Sequence, residues 1–287
     1  MARIDQLLAH GQTSSFEFFP PKSEAERATL SATVEALEPL EPSFVSVTYR
    51  GGRESRQRTY DLVVEMAARG RLVPMAHLIC VAHTTAELVE ILEAYVNAGV
   101  ENLMALGGDP PTHEGAIVGE LTYASELVAL AREVGSFSIG VAAHPEGHPR
   151  STSLAQDRHF LAMKLDHADF AVTQFLFEAD RWSSLVADLA DLGVHKPVLP
   201  GIMPVTSLRS VPRMAQMGSA VPEALVARLE AAHANGGDEA VRRAGIDHAV
   251  ELGAELLARG VPGLHFYTLN QSTATREIYD RLGLAPR

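Results

Sequence analysis

The chain has 287 residues, 46% of them hydrophobic, and a net charge of −12 from 24 basic and 36 acidic side chains. That length and apolar content are ordinary for one large domain. The acidic balance excludes a protein built to grip a phosphate backbone, which needs a basic face. A single cysteine, Cys80, excludes an internal disulfide and suits a reducing cytosol. No apolar run reaches the ~18 residues of a membrane span. The opening MARIDQLLAHGQ lacks the basic and apolar regions of a secretory signal, so a cytoplasmic location is expected.

In chain order, short apolar runs predict strands at 13–19, 43–49, 74–80, 101–106, 137–143, 168–175, 197–201 and 263–268. Helical spacing fills the gaps at 24–38, 56–68, 85–98, 123–134, 152–166 and 179–192, then a longer region at 207–235, then 238–259 and 272–282. Ser23 with Glu26, and Thr84 with Glu87, have the spacing of reciprocal capping boxes. Eight strand–helix units predict a single α/β domain over 1–287, a (β/α)8 barrel with extra helices between strands 7 and 8. A doubly wound sheet is the competitor. It gathers functional groups at one switch point, whereas Glu17, Thr48, His77, Asp109, His144, Gln174 and Tyr267 fall at or near the ends of different strands. One ring at a barrel mouth accounts for all seven.

The stretch SFEFFPPK, Ser15 to Lys22, sets an acid among three phenylalanines. Side chains alternate along a strand, so with Phe16 and Phe18 turned to the helices Glu17 faces the barrel axis. Pro20 and Pro21 cannot donate ladder hydrogen bonds and end the strand just beyond it. A semi-buried carboxyl at the mouth is expected to hold a proton and to act as a general acid.

SFEFFPPK, VSVTYRGG, HLICVAHTTAELVEIL, ALGGDPP, PEGHP, DFAVTQFLF, PGIMPVTS and GLHFYTLNQS, in this order from Ser15 to about Leu284, resemble the methylenetetrahydrofolate reductase family. The resemblance implies a (β/α)8 barrel. It also implies reduction of 5,10-methylenetetrahydrofolate to 5-methyltetrahydrofolate by NADH or NADPH, usually through bound FAD, within one-carbon metabolism. It places the family's catalytic acid at Glu17, and holds the pterin with Asp109 and Gln174. A carboxylate accepts the pterin's paired donors in parallel, and an amide suits its mixed edge. It puts Leu208 and Tyr267 on the substrate side, and Thr48, His77, Gly107, Gly108, His144, His148, Asp157 and Lys164 on the cofactor side. The implied partners are a folate and a nicotinamide nucleotide. Nucleic acid and membrane are not expected, and a homo-oligomer stays open.

The departures from the family cluster on the flavin. Flavin-binding members usually read ALRGD where this chain has Gly107, and a tyrosine where it has His144. Asp157 and Lys164 are kept, but Phe160 and Met163 stand where Asn and Arg are common, and neither can bond a pyrophosphate. The folate side keeps Glu17, Asp109 and Gln174. FAD is therefore expected to be absent, with hydride passing directly from nicotinamide to folate. His144 and His148 have the spacing of two zinc ligands on a helix, but Pro145 and Gly147 argue against a helix there, and no metal site is expected. Lys22, Lys164 and Lys196 do not offer the strand-end lysine of a Schiff-base enzyme.

Overall fold

The computed structural model describes residues 2–49, 53–109 and 119–285. Arg50, Gly51 and Gly52 of one motif, and Pro110 and Pro111 of another, lie outside the described residues. Eight parallel strands close into a barrel in sequence order: β1 (Thr13–Phe18), β2 (Phe44–Val47), β3 (Pro74–Ile79), β4 (Asn102–Leu106), β5 (Ser138–Ala143), β6 (Phe170–Phe175), β7 (Val198–Ile202) and β8 (Gly263–Tyr267). The helices are α1 (Ile4–His10), α2 (Glu24–Leu37), α3 (Arg53–Arg69), α4 (Thr85–Asn97), α5 (Ala124–Val134), α6 (Leu154–Leu165), α7 (Ala179–Asp191), α8 (Val211–Gln216), α9 (Glu223–Ala258) and α10 (Thr273–Arg281). The predicted fold class and all eight strands are present.

Three expectations need correction. Periodicity predicts no helix before the first strand, yet α1 lies there. Ile4 of α1 is fully buried in the lower barrel interior with Phe44, Met75, Met104, Phe170, Val172 and Leu199. Asn102 fastens the plug, its amide accepting from the Ile4 N–H at 2.8 Å and donating to the Ala2 carbonyl at 3.0 Å. Second, the longer helical region expected at 207–235 is divided into a 3-10 turn (Leu208–Ser210), α8 and the start of α9. The expected break after 235 coincides with Gly236 and Gly237, which leave helical geometry inside α9. Third, only one of the two capping boxes closes. Thr84 and Glu87 cap each other, whereas Ser23 accepts from the Glu26 N–H and the Glu26 carboxylate reaches past it to the Lys22 N–H.

The alternation in β1 sets up the site. Phe16 faces outward, its ring 6.0 Å from Phe266 and 5.6 Å from Tyr279 of α10. Phe16 and Phe18 join the main core between barrel and helices. Ser15 and Glu17 face inward, as the pleat requires.

Candidate active site

Glu17 is 7% exposed, at the top of β1. Two imidazoles approach the same carboxyl oxygen: His77 Nε2 from β3 at 3.7 Å and His265 Nε2 from β8 at 3.8 Å from Oε2. Burial pushes His77 down to about 4, so it is a neutral neighbour. The end of β1 is pinned from the loop after β8. Thr268 Oγ1 donates to the Glu17 carbonyl at 2.6 Å. Asn270 clamps Phe19, accepting from its N–H and donating to its carbonyl, both at 2.9 Å. Thr48, on the neighbouring strand end, buries a hydroxyl with no hydrogen-bond partner among the described residues.

Across the mouth, β6 carries a register shift between Val172 and Phe175. Bulges next to active sites re-aim side chains. Here the shift leaves the Thr173 carbonyl for the Tyr267 hydroxyl, which donates to it at 2.8 Å. The Tyr267 ring fills the space above Gly201, where a Cβ would lie 2.5 Å from Tyr267 Cε2. Burial, and after it the charge of Glu17, hold the Tyr267 phenol well above its usual range. Gln174 turns toward the loop after β7, its amide donating to the Met217 carbonyl at 3.0 Å and accepting from the Phe175 N–H. Leu208, on the 3-10 turn, packs half-buried in the same cluster as Tyr267, Phe175 and Met203.

After β4, Gly107 and Gly108 differ. A Cβ on Gly107 would meet nothing closer than 3.7 Å. Gly108 has φ +84°, and a Cβ there would lie 2.6 Å from Val81 Cγ2; only glycine takes that conformation in that space. The turn carries Asp109 to an exposed position at the mouth. Arg150 from the loop after β5 donates to the Gly108 carbonyl at 3.2 Å and ties the two loops together.

The loop after β5 is not helical, as Pro145 and Gly147 predict. Among the described residues no group of three or more His, Cys, Asp or Glu side chains is placed to hold a metal. Asp157 and Lys164, expected on the cofactor side, lie on α6 and each bonds the neighbouring chain. Asp157 accepts from the His148 N–H and Ser151 Oγ, both at 3.0 Å. Lys164 donates to the Ala142 carbonyl at 2.9 Å, and burial lowers its ammonium below the usual lysine range. Arg158, which no sequence motif singles out, donates to the carbonyls of His144 and Pro145 and pairs with Asp157 and Asp188. The His144 ring stands edge-on to His148, centroids 4.7 Å apart; burial and then His148 push His144 down to about 4.

Sequence reasoning also misses His265 and Asn270. The alternation of β8 holds the signal for the first, since His265 and Tyr267 lie two apart on one face.

A closed eight-stranded parallel barrel, with a near-buried acid between two imidazoles at its C-terminal mouth, defines a (β/α)8-barrel protein of the kind that works from its strand ends. The family profile described as methylenetetrahydrofolate reductase matches residues 3–283, and the chain belongs to that family. A relative from Escherichia coli (strain K12), 5,10-methylenetetrahydrofolate reductase, is 34% identical over 290 residues, covering 99% of this chain and 96% of its own. A relative from Arabidopsis thaliana, methylenetetrahydrofolate reductase (NADH) 1, is 35% identical over 98% of this chain and 50% of its own length. Among solved structures, a protein from Clostridium thermocellum that binds two copies of 5-methyl-5,6,7,8-tetrahydrofolic acid superposes with a TM-score of 0.68 over 97% of this chain and 96% of that one. At 14% identity, that likeness shows the fold.

Proposed function

We propose that this chain is a methylenetetrahydrofolate reductase that passes hydride directly from a reduced nicotinamide to the folate, without bound FAD. What supports the reading is that the chain keeps Glu17, Asp109 and Gln174, the residues assigned to folate, while Gly107, Phe160 and Met163 offer no polar side chain where FAD would lie. Phe160 and Met163 of α6 are each 51% exposed and offer no donor to a pyrophosphate. Gly107 contributes no side chain, although its surroundings would admit one. The name of the plant relative supports NADH as the donor.

In this reading Glu17 gives its proton to the departing nitrogen of the folate's five-membered ring. The carbon–nitrogen bond breaks and leaves a 5-iminium cation, to which the nicotinamide adds hydride, and Glu17 regains a proton from solvent. Asp109 and Gln174 orient the pterin, with Gln174 exchanging its bond to Met217 for the ligand. Beside β1 and β8, a cavity of about 310 Å³, lined in part by Lys22, Arg58 and Gln271, gives the substrate's anionic tail room.

Direct transfer requires both ligands at once, with the reacting carbons ~3–3.5 Å apart. Initial-rate plots should therefore intersect, and the pure protein should be colourless. Parallel lines, stoichiometric FAD released on denaturation, or a several-fold gain on adding FAD would return the chain to flavin chemistry. Tight folate binding with no nicotinamide oxidation would make it a binding protein.

A further inference from the structure

The turn His148–Pro149–Arg150, between β5 and α6, holds an exposed guanidinium at the barrel mouth. Among the described residues no carboxylate pairs with Arg150. One N–H of its fork donates to the Gly108 carbonyl at 3.2 Å, which aims the side chain toward the loop after β4 and leaves the other donors for a ligand. The turn beneath it is fixed. The Gly147 N–H donates to the His144 carbonyl at 3.0 Å, and the Ser151 N–H to the His148 carbonyl at 2.8 Å. Arg158 holds the carbonyls of His144 and Pro145, and Asp157 holds the His148 N–H and the Ser151 hydroxyl. The Arg150 N–H donates to His148 Nδ1 at 3.1 Å. Burial, and after it the charge of Arg150, lowers His148 below its usual range, so the ring is neutral. A nitrogen that accepts carries no hydrogen, and the His148 hydrogen is therefore on Nε2, a second donor on the same turn. A guanidinium and an imidazole N–H on one rigid turn suit a phosphoryl oxyanion.

Direct transfer brings two anionic ligands into one mouth, and their charged ends repel if they leave by the same side. In the closed order from β1 to β8, β5 lies opposite β1. The cavity lined in part by Lys22, Arg58 and Gln271, where the folate tail has its room, is on the β1 and β8 side. Arg150 stands across the barrel from it. We propose that Arg150, with the Nε2–H of His148, is the site for the diphosphate of the reduced nicotinamide dinucleotide. The dinucleotide then leaves the mouth over β5 while the folate tail leaves over β1 and β8. The inference rests on the reading that nicotinamide and folate are held together. The chain's net charge of −12 repels an anion arriving from solvent, and a local guanidinium reverses that field where the ligand enters.

The test measures steady-state rates for the parent, Arg150→Ala and Arg150→Lys with methylenetetrahydrofolate and three hydride donors. These are NADH, NADPH and 1-benzyl-1,4-dihydronicotinamide, which has the reactive ring and no phosphate. Loss of a charge-assisted contact to the diphosphate should lower kcat/KM for NADH and NADPH about 10- to 100-fold in Arg150→Ala, mostly through KM. With the phosphate-free donor the ratio should fall by less than about threefold, and folate KM should move no more than that. Inorganic diphosphate should compete with NADH in the parent and compete much more weakly in Arg150→Ala. Arg150→Lys should recover part of the loss, since an ammonium keeps the charge and lacks the fork. Equal losses with NADH and the phosphate-free donor overturn the proposal, because they report damage to the loop. If that donor is too slow to follow, competition by inorganic diphosphate decides. A loss confined to folate KM overturns the proposal by placing Arg150 on the folate tail. A loss with NADPH alone overturns it by placing Arg150 on the 2′-phosphate. The reading beneath it fails separately: stoichiometric FAD in the parent removes joint binding, whereas a colourless, active parent beside an unaltered Arg150→Ala removes only the diphosphate site.

Discussion

His77 Nε2 lies 3.7 Å from Glu17 Oε2, and burial holds that imidazole down at about 4, so the acid's neighbour across the barrel is a neutral ring. Among the described residues no guanidinium or ammonium pairs with the carboxyl, which accords with the proposed role of Glu17 as a proton donor. Glu17→Gln preserves shape and removes the proton. It should bind folate as the parent does and lose turnover by about 100- to 10,000-fold. Near-normal turnover in that variant would end the general-acid role.

Asp109 reaches the mouth on a turn that depends on Gly108. Asp109→Ala should weaken folate by about 1–3 kcal/mol, roughly 5- to 150-fold, by leaving the pterin's donors unpaired. Nicotinamide affinity should change less. Equal weakening of both ligands in titration would point to collapse of the loop instead.

The two glycines before it should separate cleanly. Gly107→Ala meets only ordinary contacts and should shift stability by less than about 1 kcal/mol. Gly108→Ala must enter a left-handed conformation against Val81 and Ile79, and should cost more than about 1 kcal/mol while weakening folate. Thermal melts and folate titration of the pair check this, and equal melts would contradict the steric account.

Arg158, 3% exposed, is the buried anchor of the loop after β5, bonded to two carbonyls and paired with Asp157. Arg158→Met strands those acceptors and should cost about 3–5 kcal/mol, lowering Tm by roughly 10 °C. Asp188→Asn, at its more exposed partner, should cost under about 1 kcal/mol. A melt of Arg158→Met within a degree of the parent would refute the anchoring role.

Acid should destabilise the fold through His77 and His144. Both sit at about 4 when folded, against an ordinary value of about 6.5. The unfolded chain therefore binds more protons in that window. The stabilisation is complete above about pH 6.5 and is lost as pH falls toward about 4, worth at most roughly 3 kcal/mol for the fully enclosed His77 and less for His144. Calorimetric Tm should fall from pH 7.5 to 4.5, and fall less steeply in His144→Gln. Parallel curves would show that His144 does not contribute.

The strands are legible in the sequence because each is a short apolar run set between helical patterns, as strands buried on both faces are. Glu17 stands out in the sequence because a carboxyl among phenylalanines is costly to bury, and the structure does bury it at 7% exposed. The length of α9 is less legible, since the Gly236–Gly237 pair that breaks its geometry reads in sequence as an end. Helix α1 escapes because seven residues show too few turns for a periodic signal, and the burial of Ile4 depends on Asn102, far along the chain. Asp157 and Lys164 stand out by residue type, but residue type alone does not display the bonds they make to His148, Ser151 and Ala142. Arg158 goes unseen for the same reason: its value lies in carbonyls supplied by His144 and Pro145, which no motif displays.

The Asn102 amide that receives Ile4 also fixes an order of assembly. During synthesis the residues of α1 leave the ribosome well before those of β4, and they have nowhere to settle until that strand and the Ser138 hydroxyl, which accepts from the Asp5 N–H, have emerged. The early segment must wait in solvent while the sheet grows past it. Docking of Ile4 then reports closure of the barrel floor, so a fluorophore near residue 4 would make a late-stage clock for folding on the ribosome.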